Sequence, residues 1–183
     1  LDRWTFTDPS VWRLGKGDQG ATLELMKLAR YTPKFRSPLS IAILNEPKVA
    51  DMTLDVRVRS TVASYNHRDI CLFLGYQDPE HFYYVHLGLK KDQNSHGIFI
   101  VNKAARKRLV GEATDGVAWT DGWHHVRIHR QVESGTIEVF FDDMAKPILM
   151  SNDKTFPSGK VGLGSFDDRG MFDDLVIHGV VVP

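Results

Sequence analysis

Apolar and polar residues alternate with a period of two along most of this chain, and a helical period is hard to find anywhere. Asp51–Ser60 places Met52, Leu54, Val56 and Val58 on one face and Thr53, Asp55, Arg57 and Arg59 on the other. Ala21–Leu28, built around Leu23 and Leu25, has the same character. Trp123–Gln131 sets Val126 and Ile128 against His125, Arg127 and His129, and Thr136–Asp142 repeats the pattern with Ile137, Val139 and Phe141. Such alternation predicts strands with one buried face. Two segments depart from it. Ile70–Tyr76 and Phe82–Leu89 are almost continuously apolar and flank a turn at Gln77–His81, as strands covered on both faces are. Turn chemistry separates the elements at Gly15–Gly20, Asn45–Pro47, Asp78–Pro79, Asp121–Gly122, Ser134–Gly135, Phe156–Gly159 and Arg169–Gly170. The reading is one all-β domain over residues 1–183, with about eleven or twelve strands in a two-sheet antiparallel sandwich.

Composition narrows the partners. A length of 183 residues suits a single domain. Twenty-three basic residues balance 23 acidic ones, so bulk charge favours neither nucleic acid nor a membrane surface. The basic run Lys103–Arg108 reads as a solvated turn. No segment approaches the roughly 18 apolar residues of a membrane span. The single cysteine, Cys71, excludes an internal disulfide and, within the most apolar strand, reads as buried and inert.

The closing third carries a recognisable order of motifs. Gly122-Trp123-His124 opens a strand, Ser134-Gly135 turns it into a hairpin, and Pro157-Ser158-Gly159-Lys160-Val161-Gly162-Leu163-Gly164 leads to Phe172-Asp173-Asp174-Leu175. This order resembles the concanavalin-A-like jelly-roll superfamily, and within it the 3-keto-disaccharide-hydrolase-like and laminin-G-like carbohydrate domains. The resemblance implies a jelly-roll sandwich whose concave sheet forms a groove for an oligo- or polysaccharide. It also implies a secreted or periplasmic setting; the chain begins at Leu1 rather than Met, as a mature form or an excised domain does. Because this fold hosts enzymes, lectins and adhesion modules alike, it leaves activity open. No cofactor is required. A structural calcium between the chain ends, held by Asp8 and Asp174, is a further implication, and hard oxygen ligands suit that ion.

Polar rings threaded through the apolar block from Tyr65 to Asn102 mark the candidate site, because burying Tyr, His or Arg is costly without a partner or a wet cleft. If Tyr83, Val85 and Leu87 face the core, then Phe82, Tyr84 and His86 share the opposite face and line the groove. Tyr84, His86 and Arg68 are the candidate catalytic residues, by the acid–base logic of lyases that also neutralise a uronate. His67, Asn66, Tyr76, His96 and Asn102 are the candidate sugar-binding residues. No pair of strand carboxylates of the kind a two-carboxylate glycosidase needs is present. His124-His125 point to opposite faces and no H-x-H or H-E-x-x-H occurs, so zinc has no sequence support. Phosphate-loop and G-x-S-x-G signatures are likewise missing. Three functions therefore stay open: a glycan-cleaving enzyme, a non-catalytic carbohydrate-binding module, and a laminin-G-like protein-interaction domain. Full burial and hydrogen bonding of the Tyr/His/Arg cluster would favour the third.

Overall fold

The computed structural model describes residues 1–17 and 20–183; the turn expected at Gly15–Gly20 falls partly outside them. The described chain is a two-sheet antiparallel sandwich, as the alternation predicts, consistent with the jelly roll that the resemblance implies. One sheet has seven strands in the order β1 (Trp4–Phe6), β4 (Ser40–Leu44), β14 (Lys160–Ser165), β6 (Asp69–Asp78), β7 (His81–Gly88), β8 (Gly97–Asn102) and β9 (Lys107–Arg108). The other has eight, in the order β10 (Gly111–Ala113), β13 (Leu149–Asn152), β12 (Thr136–Phe141), β11 (His124–Gln131), β5 (Lys48–Ser60), β15 (Gly170–Val182), β3 (Ala21–Leu25) and β2 (Trp12–Lys16). The short strands β1, β9 and β10 account for most of the difference from the expected strand number. Too brief to alternate visibly, they exist through pairing with longer neighbours.

The main core lies between the sheets. Leu54, Val56 and Val58 of β5 meet Ile70, Leu72 and Leu74 of β6, with Tyr83, Val85 and Leu87 of β7 beside them. Every one is buried, and those of β5 and β7 come from the faces the sequence assigns. A second apolar cluster covers the outer face of the seven-stranded sheet. It contains Ile41, Ile43, Cys71, Phe73, Phe82, Tyr84, Phe99 and Val101. This is why β6 and β7 read as continuous apolar runs: both their faces pack. Gly75, at φ +58°, sits where the pairing of β6 with β7 shifts register. A bulge there lets Tyr76 rejoin the outer face.

Residues 26–39 run over this outer face as an irregular segment. Ala29 N–H donates to Ser40 Oγ, Leu39 N–H to the Phe166 carbonyl, and the Arg36 carbonyl accepts from Arg106 N–H. No helix among the described residues is long and apolar enough to cross a membrane.

Candidate functional site

The outer face of the seven-stranded sheet carries the predicted groove residues, but its two ends are built differently. At the β7–β8 end a roof closes it. Arg106 lies over the rings of Phe99 and Phe166, its Cζ 5.0 and 4.3 Å from their centroids. One of its guanidinium nitrogens donates to Tyr84 Oη at 2.7 Å and to the Asn94 carbonyl at 2.9 Å. Phe166 stacks on His86 with 6.0 Å between centroids. Tyr84 is fully buried and His86 is 5% exposed; burial pushes the Tyr84 phenol well above its ordinary pKa. The two residues share a face, as expected, yet both are buried beneath the roof. The basic run Lys103–Arg108 is corrected here. It is not simply a solvated turn, because Arg106 forms the roof and Arg108 donates to the carbonyls of His96, Asp92 and Ser95.

Beneath that roof lies a cluster of polar side chains. Asp69 is fully buried and accepts from Ser165 Oγ at 2.9 Å, Phe166 N–H at 2.9 Å and the Cys71 thiol at 3.2 Å. Burial alone would push its pKa up, but the facing His86 and these donors outweigh it and hold the carboxyl below the ordinary carboxylate range. Asp168 accepts from Asp69 N–H and Tyr65 Oη. Burial first, then Asp69, push its carboxyl up to about 6.

The other predicted residues scatter. Arg68, with its side chain 3% exposed, donates to Ser60 Oγ, the Ser60 and Thr120 carbonyls and Asp121 Oδ1. It ties the end of β5 to the loop before β11 and faces no cleft. His67 pairs with Asp92 at 2.5 Å on the surface, and Asn66 is exposed beside it. His96 is fully buried, with Nε2 on Thr114 Oγ1 at 3.0 Å. Burial, reinforced by Arg108, lowers its pKa to about 4. Asn102 lines a different cleft of about 430 Å³, with Ile100, Lys107 and Asn152. Asp8 caps the short 3₁₀ turn Pro9–Val11, accepting from Ser10, and also receives Arg30 N–H. Asp174 pairs with Arg57 at 3.6 Å. The two proposed calcium ligands thus have separate partners, and neither belongs to the metal-capable clusters among the described residues.

Tyr76 stands at a cleft on the predicted sheet face itself. At the β4–β14–β6 end a cleft of about 290 Å³ is lined by Tyr31, Ile41, Ile43, Tyr76, Gln77 and Lys160. Tyr76 is half-buried and stacks on Phe82 at 5.5 Å, which fixes its ring plane. Tyr31 comes from the covering segment. Among the described residues, the hydroxyls of Tyr31 and Tyr76 and the ammonium of Lys160 have no hydrogen-bond or ionic partner. Burial raises the pKa of both phenols, with the neighbouring Tyr31 adding to the shift at Tyr76 and Glu80 to that at Tyr31. Both therefore stay protonated, able to donate and accept. Sequence reasoning missed Tyr31 and Lys160. Tyr31 lies in an irregular stretch with no periodicity to place it. Lys160 begins the strand that pairs with the end of β6, opposite Tyr76, a pairing between segments distant in sequence.

A third cleft, of about 430 Å³, opens on the eight-stranded sheet around Trp123. There the Arg57 guanidinium already covers the indole, with Cζ 5.2 Å from its centroid, and the neighbouring charges are paired: Arg57 with Asp174, His125 with Asp55, His124 with Asp142. The Tyr31–Tyr76 cleft is the one that combines aromatic rings with unsatisfied donors.

No protein-family model and no curated protein sequence matches the chain. Solved structures do. The chain is similar to the carbohydrate-binding module CBM66 from Bacillus subtilis, with a TM-score of 0.68 at 13% identity, covering 97% of this chain and 96% of that one. It is also similar to a GH43 protein from Bacillus licheniformis, with a TM-score of 0.65 at 10% identity over 97% of this chain and 37% of that one. A third likeness is to domain 4 of an extracellular GH43 arabinanase from Geobacillus stearothermophilus, solved with arabinotriose. Its TM-score is 0.59 at 14% identity, over 98% of this chain and 82% of that one. Identities this low establish a shared sandwich fold of the kind carbohydrate-binding domains use.

Proposed function

We propose that this chain is a carbohydrate-binding module that holds a segment of a glycan in the Tyr31–Tyr76 cleft without cleaving it. The observation that carries the reading is the conjunction of two half-buried tyrosine rings with three unsatisfied polar groups in one concavity. A sugar presents an apolar C–H face to a ring and hydroxyls around its rim, and a cleft of mostly apolar walls with a few placed donors recognises that pattern. Tyr76, held by Phe82, supplies the rigid platform. The phenol hydroxyls exchange hydrogen bonds with sugar hydroxyls, and Lys160 Nζ donates to a hydroxyl or to a uronate carboxylate. Binding modules among the structural neighbours, one solved with arabinotriose, support the ligand class. An extracellular or periplasmic setting belongs to the same reading.

Tyr84, His86 and Arg68 are buried, but the cluster is not fully hydrogen-bonded, because His86 Nε2 makes no hydrogen bond, so burial alone does not select the protein-interaction reading. Several features argue against catalysis. Tyr84, His86 and Arg68 have no access to the cleft, and the residues lining it include no carboxylate. The test is a panel of arabinan, xylan, fructan and a uronate polymer, read by calorimetry and by product analysis. At least one polymer should bind with no new chain ends, and Tyr31→Ala and Tyr76→Ala should each weaken binding about tenfold or more, roughly 1.4 kcal/mol. Binding indifferent to both substitutions would remove the cleft from the reading, and released products would remove the claim that the module is non-catalytic.

A further inference from the structure

We infer that the chain binds one zinc-class divalent cation between Asp69, Cys71 and His86, beneath the roof and apart from the glycan cleft. The backbone assembles this trio directly. Asp69 and Cys71 stand two residues apart on β6 and so project from the same face, and Cys71 pairs in the ladder with His86 of β7. A carboxylate, a thiol and an imidazole, none more than 5% exposed, thereby bring one ligand atom each within 4.8 Å of the others.

The second, independent observation is the state of His86. Its Nδ1 lies 3.1 Å from the Asn94 carbonyl. A carbonyl only accepts, so Nδ1 carries the proton and the far nitrogen, Nε2, is the one free to ligate. That Nε2 is buried and makes no hydrogen bond. It faces Asp69 Oδ2 at 3.4 Å, while Cys71 Sγ lies 3.2 Å from the same oxygen. With zinc bonds of about 2.0 Å to O and N and about 2.3 Å to S, a tetrahedron has O···N and O···S edges of about 3.3 and 3.5 Å. The O···N separation matches such an edge, the O···S separation, set by the thiol's hydrogen bond, is about 0.3 Å shorter, and the N···S pair lies within 4.8 Å. Supporting contacts are also in place: the second ring nitrogen of His86 donates to a backbone carbonyl, and Ser165 and Phe166 donate to Asp69. Ligating residues are held by such partners in metal sites. An imidazole, a thiolate and a single carboxylate select a borderline cation of the zinc type over calcium or magnesium. Exposed Asp167 brings a carboxylate oxygen within 4.8 Å of one from Asp69. On binding, Cys71 gives up its thiol proton to solvent and the cation takes its place.

The test uses the full chain, stripped with a chelator and then titrated with cobalt(II) and with zinc. Because Cys71 is the only cysteine, a thiolate-to-cobalt charge-transfer band can arise from this site alone. The expected result is that band at one cobalt per chain, its displacement by one equivalent of zinc, and a thermal melt raised by zinc and lowered by chelator. Cys71→Ser should abolish the band, and His86→Ala should weaken binding by about 100-fold or more, beyond what losing a supporting contact does. Asp8→Asn should leave it unchanged. A wild-type chain that gives no thiolate band at stoichiometric cobalt overturns the inference and leaves Asp69–His86 as a buried ion pair. Because the wild-type spectrum alone decides, an unstable variant does not blur the result. Glycan binding through Tyr31 and Tyr76 is read separately and stands or falls independently.

Discussion

The two ends of one sheet face, built from the same strands, have opposite fates. At the β7–β8 end, Phe73, Tyr84 and Phe99 are sealed under Arg106 and Phe166 and form a second core. At the β4–β14–β6 end, Tyr76 lies on the same apolar floor but keeps its edge and hydroxyl at an opening. The residue types barely differ between the ends, since both offer Tyr on Phe with a cation nearby. What differs is whether the cation is spent. Arg106 satisfies Tyr84 and Asn94 and closes the surface, whereas Lys160 has no partner among the described residues and leaves it open. An aromatic ring on a sheet face therefore signals a sugar platform only where its hydroxyl and the neighbouring charge lack partners within the fold.

The sharpest way to break this contrast is to cut into the roofed end. Phe73→Ala should destabilise the protein by about 3–5 kcal/mol in urea unfolding, the range for emptying an aromatic site in a core. A value below about 1 kcal/mol would mean the roofed end is surface after all. Acid provides the next test. His96, buried beside that end with a folded pKa of about 4 against an ordinary 6.5, is neutral when folded but takes up a proton when unfolded. Its folded pKa is depressed, so the unfolded state binds more protons between these values. Stability present above pH 6.5 should therefore fall with acidification, by on the order of 3 kcal/mol by pH 4. Urea midpoints for His96→Gln should lack this component of the slope; a slope equal to wild type would show that the ring is solvated.

Arg106→Gln should cost about 2 kcal/mol by the same unfolding assay, because Tyr84 Oη and the Asn94 carbonyl lose a charged donor in a buried place. It should not create a new glycan site. Calorimetry detecting added affinity in that variant would make the roof a movable lid instead. The smallest stability effect belongs to the open end. Tyr31→Ala should shift unfolding by no more than about 0.5 kcal/mol while weakening glycan binding about tenfold. An equal loss of stability and binding would place Tyr31 in the core with the rest.

Much of this was legible along the chain, for local reasons. The side chains of Asp51–Ser60 and Thr136–Phe141 alternate because consecutive strand residues face opposite ways, so burial of Leu54, Val56, Ile137 and Val139 follows from order alone. The sharing of one face by Phe82, Tyr84 and His86, opposite Tyr83, Val85 and Leu87, follows in the same way. Their burial, too, had a trace in the unbroken apolar character of β6 and β7. What covers that face was not legible. The irregular segment of residues 26–39 and the turn bearing Arg106 have no period, and their contacts with Phe166 and Tyr84 link positions far apart in sequence. Arg68 illustrates the same limit: its type and neighbours suit a ligand cation, yet its partners Ser60, Thr120 and Asp121 come from two other segments. Periodicity is a property of the backbone and can be read residue by residue. Whether a polar side chain is satisfied depends on which distant donor or acceptor the fold brings within about 3 Å, and that decided which end of the sheet is core and which is cleft.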